Sequence, residues 1–172
     1  MKDNIFKYYT ELPQWAKGAV VIAATAAVGF VGYKVYRMVF PSDSEKQAQQ
    51  LLNSIQNDIE RWQREGLTPS YPEVQYQAMA SSAYDGMRYC AGDNYTAVEE
   101  ILKKMQNNLD VALLVSAFDI RQNYCFGVPT GTPLDLFSFV KRELGDEWGG
   151  ITDYRIKRIN DNWQKKGITY KV

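Results

Sequence analysis

Histidine is absent from the 172 residues. Its absence removes the commonest general base and the commonest transition-metal ligand. Only two cysteines occur, Cys90 and Cys125, too few to build a zinc site unaided. They fit either one disulfide in an oxidising compartment or two buried thiols. Neither sign of charge is in excess, with Lys plus Arg at 20 and Asp plus Glu at 20. No basic surplus points to nucleic acid, and none is expected as a partner. A Gly-rich phosphate loop and a serine nucleophile elbow are both lacking. Strand patterns of useful length are lacking too, which leaves an all-α class.

What is present, first, is one uncharged run. From Gly18 to Tyr33 no residue is charged, and Lys34 and Arg37 follow on a stretch that stays apolar through Phe40. Their long stems can snorkel to a membrane interface. With Trp15 at one end and Tyr33, Tyr36 and Phe40 at the other, residues 15–40 have the length and aromatic flanks of a single transmembrane helix. About 20 residues cross ~30 Å of hydrocarbon. The competing readings are a signal segment and a buried core helix. The run ends in Tyr-Arg-Met-Val-Phe-Pro, not in a small-residue cleavage site. Lysines lie on both sides of it, at Lys2, Lys7 and Lys17 and at Lys34 and Lys46. The positive-inside rule therefore does not assign the side of the membrane. Ala19, Ala23 and Ala27 recur at four-residue spacing, a face that lets two helices approach closely or merely the alanine common in spans.

The rest of the chain divides by composition. Residues 1–14 form a short head whose Asn4–Leu12 stretch has an apolar side suited to an interface. Residues 41–70 hold an amphipathic helix and a linker. Ser42 or Ser44 caps the helix, its stripe is Ala48, Leu51, Leu52, Ile55, Ile59 and Trp62, and Gly66 ends it. Residues 71–172 carry five shorter helical patterns. The first, Pro72–Arg88, has Tyr76, Met79, Ala80, Ala83, Tyr84 and Met87 on one side. The second opens at Thr96-Ala-Val-Glu99, which has capping-box spacing, and carries Val98, Ile101, Leu102 and Met105. The third, Leu109–Gln122, places Leu113, Leu114, Ala117 and Phe118 inward. An irregular connection, Asn123–Gly131, follows. Thr132 is expected to cap the fourth, with Pro133 at its first turn and Leu136, Phe137, Val140 and Leu144 inward. Thr152 opens the fifth, with Ile156, Ile159 and Trp163, closed by Gly167. Ile168–Val172 is expected to be extended or frayed.

Several of these residues stand in a familiar order. Ala83-Tyr-Asp-Gly-Met-Arg88 leads into Cys90-Ala-Gly-Asp-Asn-Tyr95 and then Val98-Glu-Glu-Ile-Leu102. Leu109-Asp-Val-Ala-Leu-Leu-Val-Ser-Ala-Phe118 and Leu136-Phe-Ser-Phe-Val-Lys-Arg-Glu-Leu144 follow. Together they resemble one annexin repeat over about Tyr71–Lys166, a five-helix bundle. The resemblance implies a calcium site in which loop carbonyls join one distant carboxylate, sensible for an ion that takes six to eight oxygens. Residue by residue, it implies Gly92 and Asp93 in the loop and Glu143 as the acid. Cys90 stands where the family has its first glycine, and Asp93 where it has threonine. Glycine permits the positive φ such a turn uses and cysteine does so poorly, so no cofactor is expected, with calcium as the alternative. A lone repeat leaves apolar surface bare, to be covered by the 44–66 helix, a second copy or the membrane.

Other chemistry is thin. Glu99/Glu100 and Asp146/Glu147 are adjacent acids, and neighbours on a helix do not face one another, so they make poor acid–base dyads. Asn94-Tyr-Thr96 fits a glycosylation acceptor. Thr152–Asn162 gathers Arg155, Lys157 and Arg158 near Tyr154, a weak polyanion or headgroup patch, or a solvated helix face. The expectation is a non-enzymatic, single-pass membrane protein that presents a small helical module beside the bilayer. Its partner would be another protein or a second copy, in a cell envelope or a virion membrane. A calcium-dependent binder of acidic lipid is the alternative, and a membrane-tethered wall hydrolase a third reading.

Overall fold

A computed structural model of the protein describes residues 42–88, 94–125, 128–145 and 153–172. The expected span, Gly92 and Asp93 lie outside the described residues. Among those residues no helix is long and apolar enough to cross a membrane.

The structure is mainly helical. In chain order it runs α1 (Asp43–Arg64), α2 (Glu73–Met87), α3 (Tyr95–Lys104), α4 (Asn108–Phe118), β1 (Arg121–Cys125), β2 (Val128–Leu134), α5 (Leu136–Leu144) and α6 (Asp153–Lys165). Acids Asp43 and Glu45 occupy the first turn of α1, and Arg61 and Arg64 the last, each sign at the dipole end it favours. Gly66, at φ +88°, stops α1. The amide of Leu67 then reaches back to the carbonyl of Trp62 at 3.0 Å, a left-handed cap that only glycine adopts without strain.

Two caps, those of α3 and α5, differ from expectation, and that of α4 had none assigned; in each an Asn or Asp lies at the true helix start. Asn94 caps α3 by accepting from the amide of Ala97 at 3.2 Å, which places Thr96 inside the helix and leaves Glu99 free for another role. Asn107 caps α4 through the amide of Asp110 at 2.9 Å. Asp135 caps α5, accepting from the amide and hydroxyl of Ser138 at 3.0 and 2.6 Å. Thr132 and Pro133 consequently sit in β2.

The connection read as irregular is an antiparallel hairpin. Its register pairs Arg121 with Leu134, Asn123 with Thr130 and Cys125 with Val128, with an irregularity at Gln122. There the side-chain amide of Gln122 donates to the carbonyls of Thr130 and Gly131, at 2.7 and 3.2 Å. It occupies acceptors that a regular ladder would have paired. The all-α expectation is corrected to that extent. Short runs rich in Gly, Pro, Asn and Gln carry little strand signal, and the fold forms this hairpin despite them.

Helix α4 is the centre. Eight of its eleven residues are buried, and only Leu113, Ser116 and Ala117 are not. Helices α1 and α2 pack along it, and α3 lies between α2 and α6. Phe118, Phe139 and Tyr84 meet edge to face, with centroids 5.7 to 6.2 Å apart. Ile55 and Ile59 of α1 belong to the same core, so α1 covers surface that α2–α6 would otherwise leave bare. The C-terminal residues are packed, not frayed. Ile168 and Val172 are buried, and the Tyr170 hydroxyl donates to Asp58 of α1 at 2.6 Å. That hydroxyl is held well above the usual tyrosine range by burial, then by the Asp58 carboxylate.

Candidate functional site

Glu143, the carboxylate that the annexin resemblance assigns to calcium, sits near the end of α5 with 16% of its side chain exposed. Its Oε1 accepts from Arg142 Nε at 2.9 Å and from Asn123 Nδ2 at 3.1 Å. The pair fastens the hairpin to α5. A cation at this oxygen would meet the Arg142 guanidinium, a like charge at contact distance. Among the described residues no three His, Cys, Asp or Glu side chains gather as a metal site.

Glu99, Glu100 and Lys103 of α3 and Arg155 and Arg158 of α6 are committed to one another. Glu99 is 2% exposed and takes Arg155 at 2.9 Å, Arg158 and, more loosely, Lys103 at 3.7 Å. Both guanidiniums also lie over the Tyr154 ring, at 5.4 and 4.8 Å. Glu100 is exposed and bonded to Lys103 at 2.8 Å, which holds its carboxyl below the usual range. Arg155 and Arg158 thus clamp α6 to α3, and the buried Glu99 carboxylate is neutralised by cations that are themselves partly exposed. It faces no groove. Asp146 and Glu147 lie outside the described residues.

The third buried constellation centres on Asp110. Its carboxylate is 0% exposed. It accepts from the Ser70 amide at 2.9 Å, the Tyr76 hydroxyl at 2.5 Å and the Gln106 amide at 2.9 Å. Burial, and then this carboxylate, push the Tyr76 phenol far above its ordinary value. Lys166 Nζ donates to the carbonyls of Lys103 and Met105 at 2.6 and 2.8 Å. It closes the open end of α3, and burial lowers its pKa. All of these groups join elements.

A concave surface is also present among the described residues. A groove of about 650 Å³ runs between α2 and α4, within the range of small-ligand sites. Its α2 wall is Glu73, Gln77 and Ser81, at four-residue spacing, with Tyr71 at the near end. Its floor is the unburied stripe of α4, Leu113, Ser116 and Ala117. Asp119 and Arg121 close the far end. Arg121 is turned back, its Nε donating to the carbonyl of Phe118 at 2.7 Å and its guanidinium lying 4.9 Å from the Phe118 ring. Asp119 has φ 57° and ψ −154°, a region that side chains other than glycine occupy at a cost of about 1–3 kcal/mol. Sequence reasoning passed over this groove. The 73/77/81 spacing reads as an ordinary polar face, and nothing local announces the backbone of Asp119.

Cys125 is disulfide-bonded, and no cysteine is free among the described residues. The one other cysteine of the chain is Cys90. Of the two readings open from sequence, the bridge is the one observed.

No protein-family model matches the chain, and neither a curated protein nor a solved structure is significantly similar to it.

Proposed function

We propose that the chain is a membrane-anchored, non-enzymatic interaction or structural protein, held by residues 15–40 in a single pass. The observation that carries this reading is the join between the uncharged run and the folded unit. Only Pro41 and Ser42 separate Phe40 from α1, and α1 contributes Ile55 and Ile59 to the shared core. The sequence between them is two residues long, so an anchor at 15–40 would keep the module near the bilayer. The committed buried charges support a binding role over a catalytic one, because Glu99, Asp110 and Glu143 all serve to join elements.

The disulfide at Cys125 supports placing the module on the oxidising side of the membrane, where such bonds persist. The order of α2 to α6 supports reading them as a degenerate annexin-like repeat, with the hairpin in its longer connection and α1 covering the face that further repeats would bury. A cell envelope or a virion membrane would suit such a component, with a second protein or a second copy as partner.

The test places Arg at Ala24 and Val28 together. At the centre of a span each costs about 2.5–3.5 kcal/mol on insertion scales. The variant full chain should leave the membrane fraction while the wild type stays. A variant that fractionates like wild type would refute the anchor.

A further inference from the structure

We infer that the groove between α2 and α4 binds a short neutral oligosaccharide. This goes beyond the anchoring role and does not depend on it.

The chemistry of the lining selects the ligand. Ser81, Ser116 and Asp119 line the groove, and their side chains make no hydrogen bond or ion pair with any described residue. Gln77 reaches only Glu73, at a long 3.4 Å. One carboxylate and two hydroxyls therefore stand uncommitted along the groove, beside an amide and a second carboxylate held only by one long bond to each other. A carboxylate accepts two O–H donors, an amide donates and accepts, and a serine hydroxyl does both. That set matches ligands dense in hydroxyls, each of which also donates and accepts. Between the walls, Leu113 and Ala117 give an apolar floor for the C–H face of a sugar ring. Half-buried Tyr71 stands at one end as an aromatic platform with an amphipathic ring.

The same lining disfavours the alternatives. Glu73 and Asp119 repel phosphate and acidic sugars, and Arg121, the groove's cation, is spent on the Phe118 carbonyl and ring. A docked peptide helix needs deep apolar pockets for its anchors, and this floor offers one leucine and one alanine. From Glu73 to Ser81 the α2 wall is about 12 Å long, room for a few sugar units.

Asp119 supplies an independent sign. Its backbone stands in a region proper to glycine, at the far end of the groove and with its carboxylate unpaired. Strain of this kind persists where the surroundings hold it, and it clusters at ligand sites. Glycine would relieve it, so evolution toward stability alone would favour glycine at this position.

The experiment is titration calorimetry of the full chain in a mild detergent without a sugar headgroup, with the detergent buffer as blank. The probes are cellotriose, maltotriose and tri-N-acetylchitotriose, and a Lys-rich helical peptide serves as the competing class. At least one trisaccharide should bind saturably with Kd below about 10 mM. Asp119→Gly should weaken that binding by about tenfold or more without lowering the thermal midpoint, and Ser116→Leu, which fills the floor, should abolish it. Asp119→Asn, which keeps a hydrogen-bonding oxygen, should retain part of it. No saturable heat with any of the three sugars would overturn the proposal. So would sugar binding indifferent to both Asp119→Gly and Ser116→Leu, or binding of the peptide alone with that variant sensitivity.

Discussion

Replacing Asp110 with alanine should be among the most damaging single changes in the module. Its carboxylate joins the α1–α2 loop, α2 and the α3–α4 turn through Ser70, Tyr76 and Gln106. A hydrogen bond to a charged group contributes about 1.5–3 kcal/mol. The three do not simply add, because Ser70 and Gln106 are exposed and water can replace the lost acceptor at their amides. The Tyr76 hydroxyl is different. Tyr76 is 2% exposed, so its O–H is left buried and unpaired, itself a cost of about 1–3 kcal/mol. The expected total is about 3–5 kcal/mol. Tyr76→Phe alone removes the hydroxyl and should cost about 1–2 kcal/mol. In the double variant the orphaned hydroxyl is gone, so the two effects should fall short of additivity by about 1–2 kcal/mol. Urea unfolding followed by tryptophan fluorescence measures this, provided the slope against denaturant is unchanged. An Asp110→Ala cost below about 1 kcal/mol, or additivity with Tyr76→Phe, would show that the carboxylate does not hold these elements together.

Asp119→Gly should raise stability by about 1–3 kcal/mol, read as a higher denaturant midpoint, since it removes a backbone conformation that aspartate adopts under strain; a lower midpoint would contradict this. Alkaline pH should destabilise the module. Tyr76 and Tyr170 have folded pKa values raised above the ordinary 10.0, so their contribution is complete below pH 10 and is lost as pH rises toward the folded values, by up to about 1.4 kcal/mol per tyrosine per pH unit. Lys166 works in the opposite direction, because burial lowers its pKa and the cost of its charge fades as pH climbs toward 10.5. A pH titration of the unfolding midpoint, with Tyr76→Phe flattening the loss above pH 10, checks both signs. Reducing the disulfide at Cys125 should cost about 2–4 kcal/mol, and intact mass before and after alkylation should show no free thiol until reductant is added.

The helices were legible because their apolar residues recur at helical spacing and are those the core buries. Ile55 and Ile59 in α1, Val98 and Leu102 in α3, and Ile159 and Trp163 in α6 were all read inward, and all are buried. The expectation that Phe118 lies in a shared core is met at 0% exposure. Caps were less legible. Thr132 and Thr96 looked like starts, but Asp135 and Asn94 hold the free amides, and periodicity does not choose between polar residues a few positions apart. The hairpin escaped because its register rests on pairing between β1 and β2 and on Gln122 bridging the irregularity, which are non-local facts. The groove escaped for a related reason. Glu73, Gln77 and Ser81 become a wall only when α4 is laid beside them, and Leu113 and Ala117 were read as inward with Leu114 and Phe118, whereas they stay half-buried beside exposed Ser116. The partners of Glu99 and Asp110, at sequence separations of 34 to 59 residues for Tyr76 and the two arginines, follow from packing alone.

The central claim is that the chain lives in a membrane through residues 15–40. Alkaline carbonate extraction of membranes from cells making the unmodified full chain tests it most directly. Carbonate strips peripheral proteins and leaves a spanning helix, whose backbone hydrogen bonds are satisfied internally in hydrocarbon. The account predicts that the full chain remains in the membrane pellet. Its release into the supernatant would contradict the account.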